Sequence, residues 1–213
     1  MSYESFNKLP EAKKSAITAS GVEEFSHKSY ADVSTDEITK NCGISKGLLF
    51  HYFGSKKEFY FFCLALSLEK LIAPTPGPEK SDFFGIIFSL MDEKFRLCRE
   101  YPGEMRLVNM AAREAGGEVT EGKTKIFTEY LAKTTAESAE IMARAVRTLP
   151  LKTPGETKAG EALTLYVNAV TNKYLLKYRD TPDEFFEKAD AIKAEMKEYI
   201  SLMLYGVAAE AEK

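Results

Sequence analysis

Two histidines, three cysteines and no apolar run of eighteen residues set the first limits on this 213-residue chain. Without such a run no membrane-spanning helix is expected. The amino-terminal stretch MSYESFNKLPEAKK also has no apolar segment of the kind a secretory leader needs, so a cytoplasmic location is the expectation. Cys42, Cys63 and Cys98 are isolated and odd in number, which suits reduced thiols better than a disulfide framework or a zinc site. His27 and His51 have no carboxylate pair or Ser/His/Asp arrangement at a recognisable spacing, and no Gly-rich loop is present to cradle a phosphate. No catalytic residue, metal or cofactor is therefore expected. Strand signals are nearly absent, with neither an alternating Val/Ile/Thr run nor an Asn-Gly hairpin. The fold class is predicted to be all-α, with about nine helices. A net charge of −3 is also too small to announce a nucleic-acid binder: residues 1–57 hold eight Lys against seven Asp or Glu, and the remainder carries −4. Any binding to DNA would rest on a local patch rather than a global field.

What is present is concentrated in Ser34 to Phe59, STDEITKNCGISKGLLFHYFGSKKEF. Ser34 and Glu37 have the S-x-x-E spacing of a capping box, so a helix is predicted from Thr35. Gly43 stands where that helix must end with φ free to turn positive. Ser45 is placed to cap a second helix from Lys46 to about His51. Ser55 and Glu58 repeat the capping box and launch a third, longer helix. Two helices joined by a short turn containing Gly form a helix-turn-helix, whose second helix enters the major groove of DNA. The helix starts at Thr35 and Lys56 present backbone N–H groups and a positive dipole end to an anion such as phosphate. Lys46, Lys56 and Lys57 are cations at helix starts, where a cation costs roughly 0.3 to 1 kcal/mol and a phosphate partner would offset that cost.

ITKNCGISKGLLFHYFGSKKEF resembles the DNA-binding helices of tetracycline-repressor-like (TetR family) transcription regulators. Ile38, Gly43, Ile44, Ser45, Gly47, Leu49, Phe53, Ser55, Lys56 and Phe59 keep the family's residue or chemical type. Upstream, Ile17, Ala19, Phe25 and Tyr30 match the first helix and its exit, so the resemblance covers about residues 8 to 60. It implies an N-terminal helix-turn-helix DNA-binding domain at 1–54 and a helical regulatory domain for ligand binding and dimerisation at 55–213. It further implies a homodimer that reads a palindromic stretch of double-stranded DNA and is released by a small, largely apolar ligand. Ser34, Thr35, Ser45, Lys46, Gly47, Leu48, Phe50, His51 and Lys56 are the expected DNA-binding residues. Leu48 replaces the usual Thr and adds an apolar group suited to a thymine methyl. Phe50 replaces the usual Tyr and lacks its hydroxyl, and Thr35 stands where an apolar residue is common.

The first helix is predicted from about Pro10 to Ser26, with Ala12, Ala16, Ala19 and Phe25 inward and Ile17 and Val22 alongside. Lys8, Lys13 and Lys14 lie either near the DNA backbone or on a solvated helix start. The helix from Lys56 is predicted to stop near Ile72, before Pro74, Pro76, Gly77 and Pro78. Further helices are predicted from a cap at Ser81 to about Glu100, from Pro102 to Gly116 and Gly117, from about Lys123 to Leu149, and from the starts at Thr153 and Thr181. Phe62, Phe88, Met91, Asn109, Arg113, Phe127, Tyr130 and Asn168 are candidates to line a ligand site. Each is also consistent with plain core or surface. Val170, Tyr174 and Tyr178 on one helix, with Ile192, Met196, Tyr199 and Met203 on the last, form stripes suited to a four-helix dimer interface. The same stripes would equally serve to cover the chain's own core. Two other functions stay open: a DNA binder controlled by a protein partner, and an α-helical enzyme or carrier with no DNA role.

Overall fold

The computed structural model describes residues 3–72, 82–150, 156–178 and 181–206. All regular structure among them is helical, in eleven helices of which nine have seven residues or more. Chain packing makes two compact units, Met1–Pro74 with Arg96–Thr134, and Thr75–Phe95 with Thr135–Lys213.

The first unit contains α1 (Glu4–Asn7), α2 (Glu11–His27), α3 (Thr35–Cys42), α4 (Lys46–Phe53), α5 (Lys56–Leu71) and α7 (Pro102–Arg113). Helix α6 (Phe83–Glu100) ends in it and α8 (Thr120–Val146) begins in it. The buried face of α2 is Ile17, Gly21, Val22 and Phe25 with Thr18, Ser20 and Ser26, while Ala12, Ala16 and Ala19 are exposed. That corrects the expected alanine face. Burying Ile, Val or Phe yields about 1.5 to 3 kcal/mol each and a methyl group far less, so the large side chains set the rotation of the helix. Gly21 is where α2 meets α5, since a Cβ there would stand 2.5 Å from Phe59 Cζ and 2.7 Å from Cys63 Sγ. Ser20 Oγ donates to the Ile38 carbonyl at 2.9 Å and ties α2 to α3.

Helix α1 was not foreseen. Its Phe6 is buried, with ring centroids 4.9 Å from Phe53 and 5.2 Å from Phe62. Pro10 accordingly stands just outside α2, as its N-cap, rather than in its first turn.

The second unit contains α9 (Glu156–Lys177), α10 (Pro182–Glu187) and α11 (Ala189–Tyr205), with the start of α6 and the end of α8. Phe83, Ile86, Ile87, Met142, Ala145, Val146, Leu163, Val167 and Ile200 form one core cluster, and Val170, Tyr174, Tyr178, Ile192 and Met196 another. The single last helix expected from Thr181 is two, broken at Lys188, whose N–H closes onto the Glu184 carbonyl. The break lets the adjacent rings of Phe185 and Phe186 both meet Phe95, at 5.0 and 5.8 Å, while α11 turns Ile192 and Met196 into the core. Helix α8 runs three residues earlier at both ends than expected. Asp82 caps α6, its carboxylate accepting the Gly85 N–H at 2.8 Å. Pro74, Pro76, Gly77, Pro78, Ser81, Thr153 and Pro154 lie outside the described residues.

Gly21→Ala places a methyl into the Phe59 and Cys63 side chains and is expected to cost about 1 to 3 kcal/mol. A thermal melt checks this; an unchanged midpoint would contradict the close approach of α2 and α5.

Candidate nucleic-acid interface

Three serines start three consecutive helices. Ser34 Oγ accepts the Asp36 N–H at 3.2 Å, Ser45 Oγ the Leu48 N–H at 3.2 Å, and Ser55 Oγ the Glu58 N–H at 3.1 Å. Each cap satisfies one of the N–H groups that a helix start leaves without a partner. Between α3 and α4, Gly43 takes φ 67°, a left-handed conformation that costs any other L residue strain, and Ile44 N–H returns to the Thr39 carbonyl at 3.0 Å.

Helix α4 is held from one side only. Leu49 is fully buried and Phe53 nearly so, the latter 4.6 Å from the Phe59 ring. With that side fixed, Ser45, Lys46, Gly47 and His51 are exposed, and Leu48 and Phe50 are half-buried. These six are the expected recognition residues, and one helix brings them together with its cap.

Two of the expected contacts and one expected capping residue are placed differently. Thr35 is buried, so its side chain packs inside α3's base rather than facing a ligand; as the first residue of α3 it follows the half-buried Ser34 into the core. Glu37 does not close a reciprocal capping box. Its carboxylate takes the Lys28 ammonium at 2.6 Å, and Lys28 also holds Glu24 at 2.9 Å. The hydrogen bond from Lys28 is the main reason the Glu37 carboxyl lies below the usual carboxylate range. Lys56 is half-buried and donates to the Ala31 carbonyl at 3.2 Å, its ammonium 4.6 Å from the Tyr30 ring centroid. Burial pushes its pKa down, with Glu118 the first of the acids opposing that. The same corner is tied to the end of α7, where Glu114 accepts the Tyr30 N–H at 3.0 Å and the buried Lys123 donates to the Glu114 carbonyl. Lys56 thus anchors the start of α5 to the α2–α3 connection. Nothing in the local spacing of serines and lysines carried that signal, because Ala31 lies 25 residues from Lys56 and Glu114 lies 84 residues from Tyr30.

The other expected sites divide between the two units. Phe62 belongs to the aromatic cluster of Tyr3, Phe6 and Phe53. Asn109, Phe127 and Tyr130 are half-buried in the first unit and Arg113 is exposed there; in the second, Phe88 and Met91 are half-buried and Asn168 is exposed. Two hydroxyls that periodicity did not single out, Tyr60 Oη and Ser67 Oγ on α5, are buried with no hydrogen-bond partner among the described residues. Such groups are rare in folded proteins. Val170, Tyr174, Tyr178, Ile192 and Met196 are buried against one another within the single chain, Tyr199 is half-buried under Lys173, and of this set only Met203 is well exposed. The stripes read from the sequence are therefore inner faces. The large apolar residues left outside on the same helices are Leu165 and Leu176 on α9 and Leu202, Met203 and Tyr205 on α11. Among the described residues no group of acids, histidines or cysteines is disposed to hold a metal, and no helix is long and apolar enough to cross a membrane.

Three serine-capped helices, the second packed by one face and bare on the other, define an all-α protein of the helix-turn-helix class. The family model described as bacterial regulatory proteins, tetR family, matches residues 17–61. That segment, from within α2 into α5, is similar to the DNA-binding part of TetR family regulators. The HTH-type transcriptional regulator RutR of Escherichia coli (strain K12) is 31% identical over 101 residues, 46% of this chain and 47% of that protein. The chain thus matches the curated relatives over about half of their length. Among solved structures, a TetR family regulator from Chloroflexus aurantiacus is similar over 93% of this chain and 94% of its own, with TM-score 0.55 and 22% identity. A TetR-like regulator from Rhodococcus sp. RHA1 is similar over 94% of this chain and 100% of its own, with TM-score 0.62 and 18% identity. These two likenesses establish the shared fold.

Gly43→Ala is expected to cost about 1 to 2 kcal/mol through its left-handed backbone, whereas Lys46→Ala, which removes only an exposed ion pair, costs at most about 1 kcal/mol. Denaturant midpoints of the two variants check the contrast; equal losses would contradict it.

Proposed function

We propose that the chain is a homodimeric repressor that binds a palindromic DNA operator through α4 and is released by a small, largely apolar effector. The reading is carried by the bare face of α4, with Ser45, Lys46, Gly47 and His51 exposed opposite the buried Leu49 and Phe53. In this reading residues 1–54 are the reading head and 55–213 the regulatory part. Lys46 and the capped N–H groups meet phosphates. Leu48 and Phe50 supply apolar contact at the groove wall, where a thymine methyl is the natural partner. Lys56 acts indirectly, by holding the start of α5 to Ala31.

Two heads must stand about 34 to 36 Å apart, or a multiple of that, to read successive half-sites. Leu165 and Leu176 on α9 with Leu202, Met203 and Tyr205 on α11 are the exposed apolar residues suited to a symmetric contact, and α9 and α11 already pack side by side. Support for an effector comes from the orphaned hydroxyls of Tyr60 and Ser67, on the helix that links head and regulatory part. Half-buried Phe127, Tyr130 and Asn109 lie in the same packed unit. A guest that hydrogen-bonds these hydroxyls in one position of α5 and not in another biases the head spacing. Swinging occupancy a hundredfold each way needs a differential affinity of about 5.5 kcal/mol.

Two measurements test this. In fluorescence anisotropy on a duplex from the protein's own upstream region, Lys46→Ala weakens binding and lowers the slope of log K against log salt by about one. An unchanged slope would remove Lys46 from the phosphate contacts. In sedimentation, the wild type runs as a dimer and Leu165→Glu with Leu176→Glu as a monomer; a monomeric wild type would contradict the two-headed reading.

A further inference from the structure

Acids within the first 57 residues answer three of that segment's lysines. Of the eight lysines in residues 1–57, Lys14 is paired with Glu11, Lys28 with Glu24 and Glu37, and Lys46 with Asp36, while Lys56 is engaged by the Ala31 carbonyl. Lys8, Lys13, Lys40 and Lys57 carry no ion pair among the described residues. The Lys46 pair differs from the others in its position. Its lysine is the first residue of α4, on the face left bare, and its acid is the second residue of α3.

Asp36 Oδ2 stands 3.0 Å from Lys46 Nζ, with the two side chains 71% and 48% exposed. A pair so open to water adds little to the fold. Yet it joins the two helix starts that a phosphate would approach. The carboxylate lies at the electropositive end of α3, where an anion is favoured, and it answers a lysine that the start of α4 disfavours. A DNA phosphate has the same charge sign and the same oxygen acceptors, and it would seek the same partners.

We propose that Asp36 is a built-in competitor for the DNA phosphate that Lys46 would bind. This rests on the DNA-binding reading and adds the residue that limits it. To reach a phosphate, Lys46 must leave the carboxylate, which then stands beside the phosphate as a like charge. Because phosphates are the same at every base sequence, the penalty falls equally on operator and non-operator DNA. In a chain of net charge −3 whose first 57 residues carry only +1, this one acid halves the charge that its removal would leave on that segment. The device holds down general affinity and leaves discrimination to the bases.

The test compares the wild type with Asp36→Asn, Lys46→Ala and the double variant Asp36→Asn/Lys46→Ala. Glu23→Gln, on the exposed side of α2, makes the same change in net charge without touching the pair. Each is titrated by anisotropy against the upstream duplex and against a scrambled duplex of equal length, over a range of salt. Asparagine keeps the size of the side chain and leaves Ser34 as the cap, and a thermal melt verifies the fold. The proposal expects Asp36→Asn to tighten both duplexes by the same factor, about three- to tenfold at low salt, and to steepen the salt slope by about one. The gain should shrink in the Lys46→Ala background. Wild-type binding with no gain in Asp36→Asn, or an equal gain in Glu23→Gln, or an undiminished gain without Lys46, would overturn the proposal and leave the DNA-binding reading standing. Failure of both wild type and Asp36→Asn to bind either duplex at low salt would overturn both.

Discussion

The packing of Leu49 and Phe53 against the core of the first unit is the constraint from which the functional reading descends. Helix α4 has only eight residues, too few to be stable alone in water. Its structure is therefore borrowed from the side it buries. With Leu49 and Phe53 fixed among Phe6, Phe59 and Phe62, helical geometry leaves no choice about which residues face outward. The serine caps and Gly43 sharpen the ends of the helices, while the aromatic cluster sets their rotation. A face bearing Ser45, Lys46, Gly47 and His51 is a consequence of what lies behind it.

The same logic explains why some lysines at helix starts are available to an anion and others are not. Lys46 extends from the bare side and meets an acid that is equally exposed. Lys56 starts a helix whose first turn is packed against the α2–α3 connection, and its ammonium is consumed by the Ala31 carbonyl and the Tyr30 ring. A cap motif places a cation at a helix terminus; tertiary packing decides what that cation sees. Positive dipole and positive charge at one helix end are only a potential site until the surroundings are known.

Much of the first unit was legible in the sequence because its signals are local. The serine at each helix start, the glycine in the turn and the spacing of Ile38, Leu49, Phe53 and Phe59 operate within a few residues, and the structure realises them, with α4 running on to Phe53 rather than ending near His51. What could not be read depends on distant partners. Glu37 answers Lys28 rather than its own helix start, α1 exists because Phe6 finds Phe53 and Phe62, and Glu114 reaches back to Tyr30. In the second unit, periodicity correctly marked Val170, Tyr174, Ile192 and Met196 as one side of two helices. It had no means of telling an inner stripe from an outer one. That distinction needed the neighbours, which leave Leu165, Leu176, Leu202 and Tyr205 as exposed apolar residues of the same helices.

Hydroxyl-radical footprinting of the upstream duplex addresses the whole account most directly, because it reports where on the helix the protein stands and how many heads it brings. Two protected patches of equal length, centred about one helical turn or a whole multiple of it apart and related by two-fold symmetry, are the expected pattern. A single patch, or uniform cleavage at a protein concentration that saturates the duplex, would contradict it.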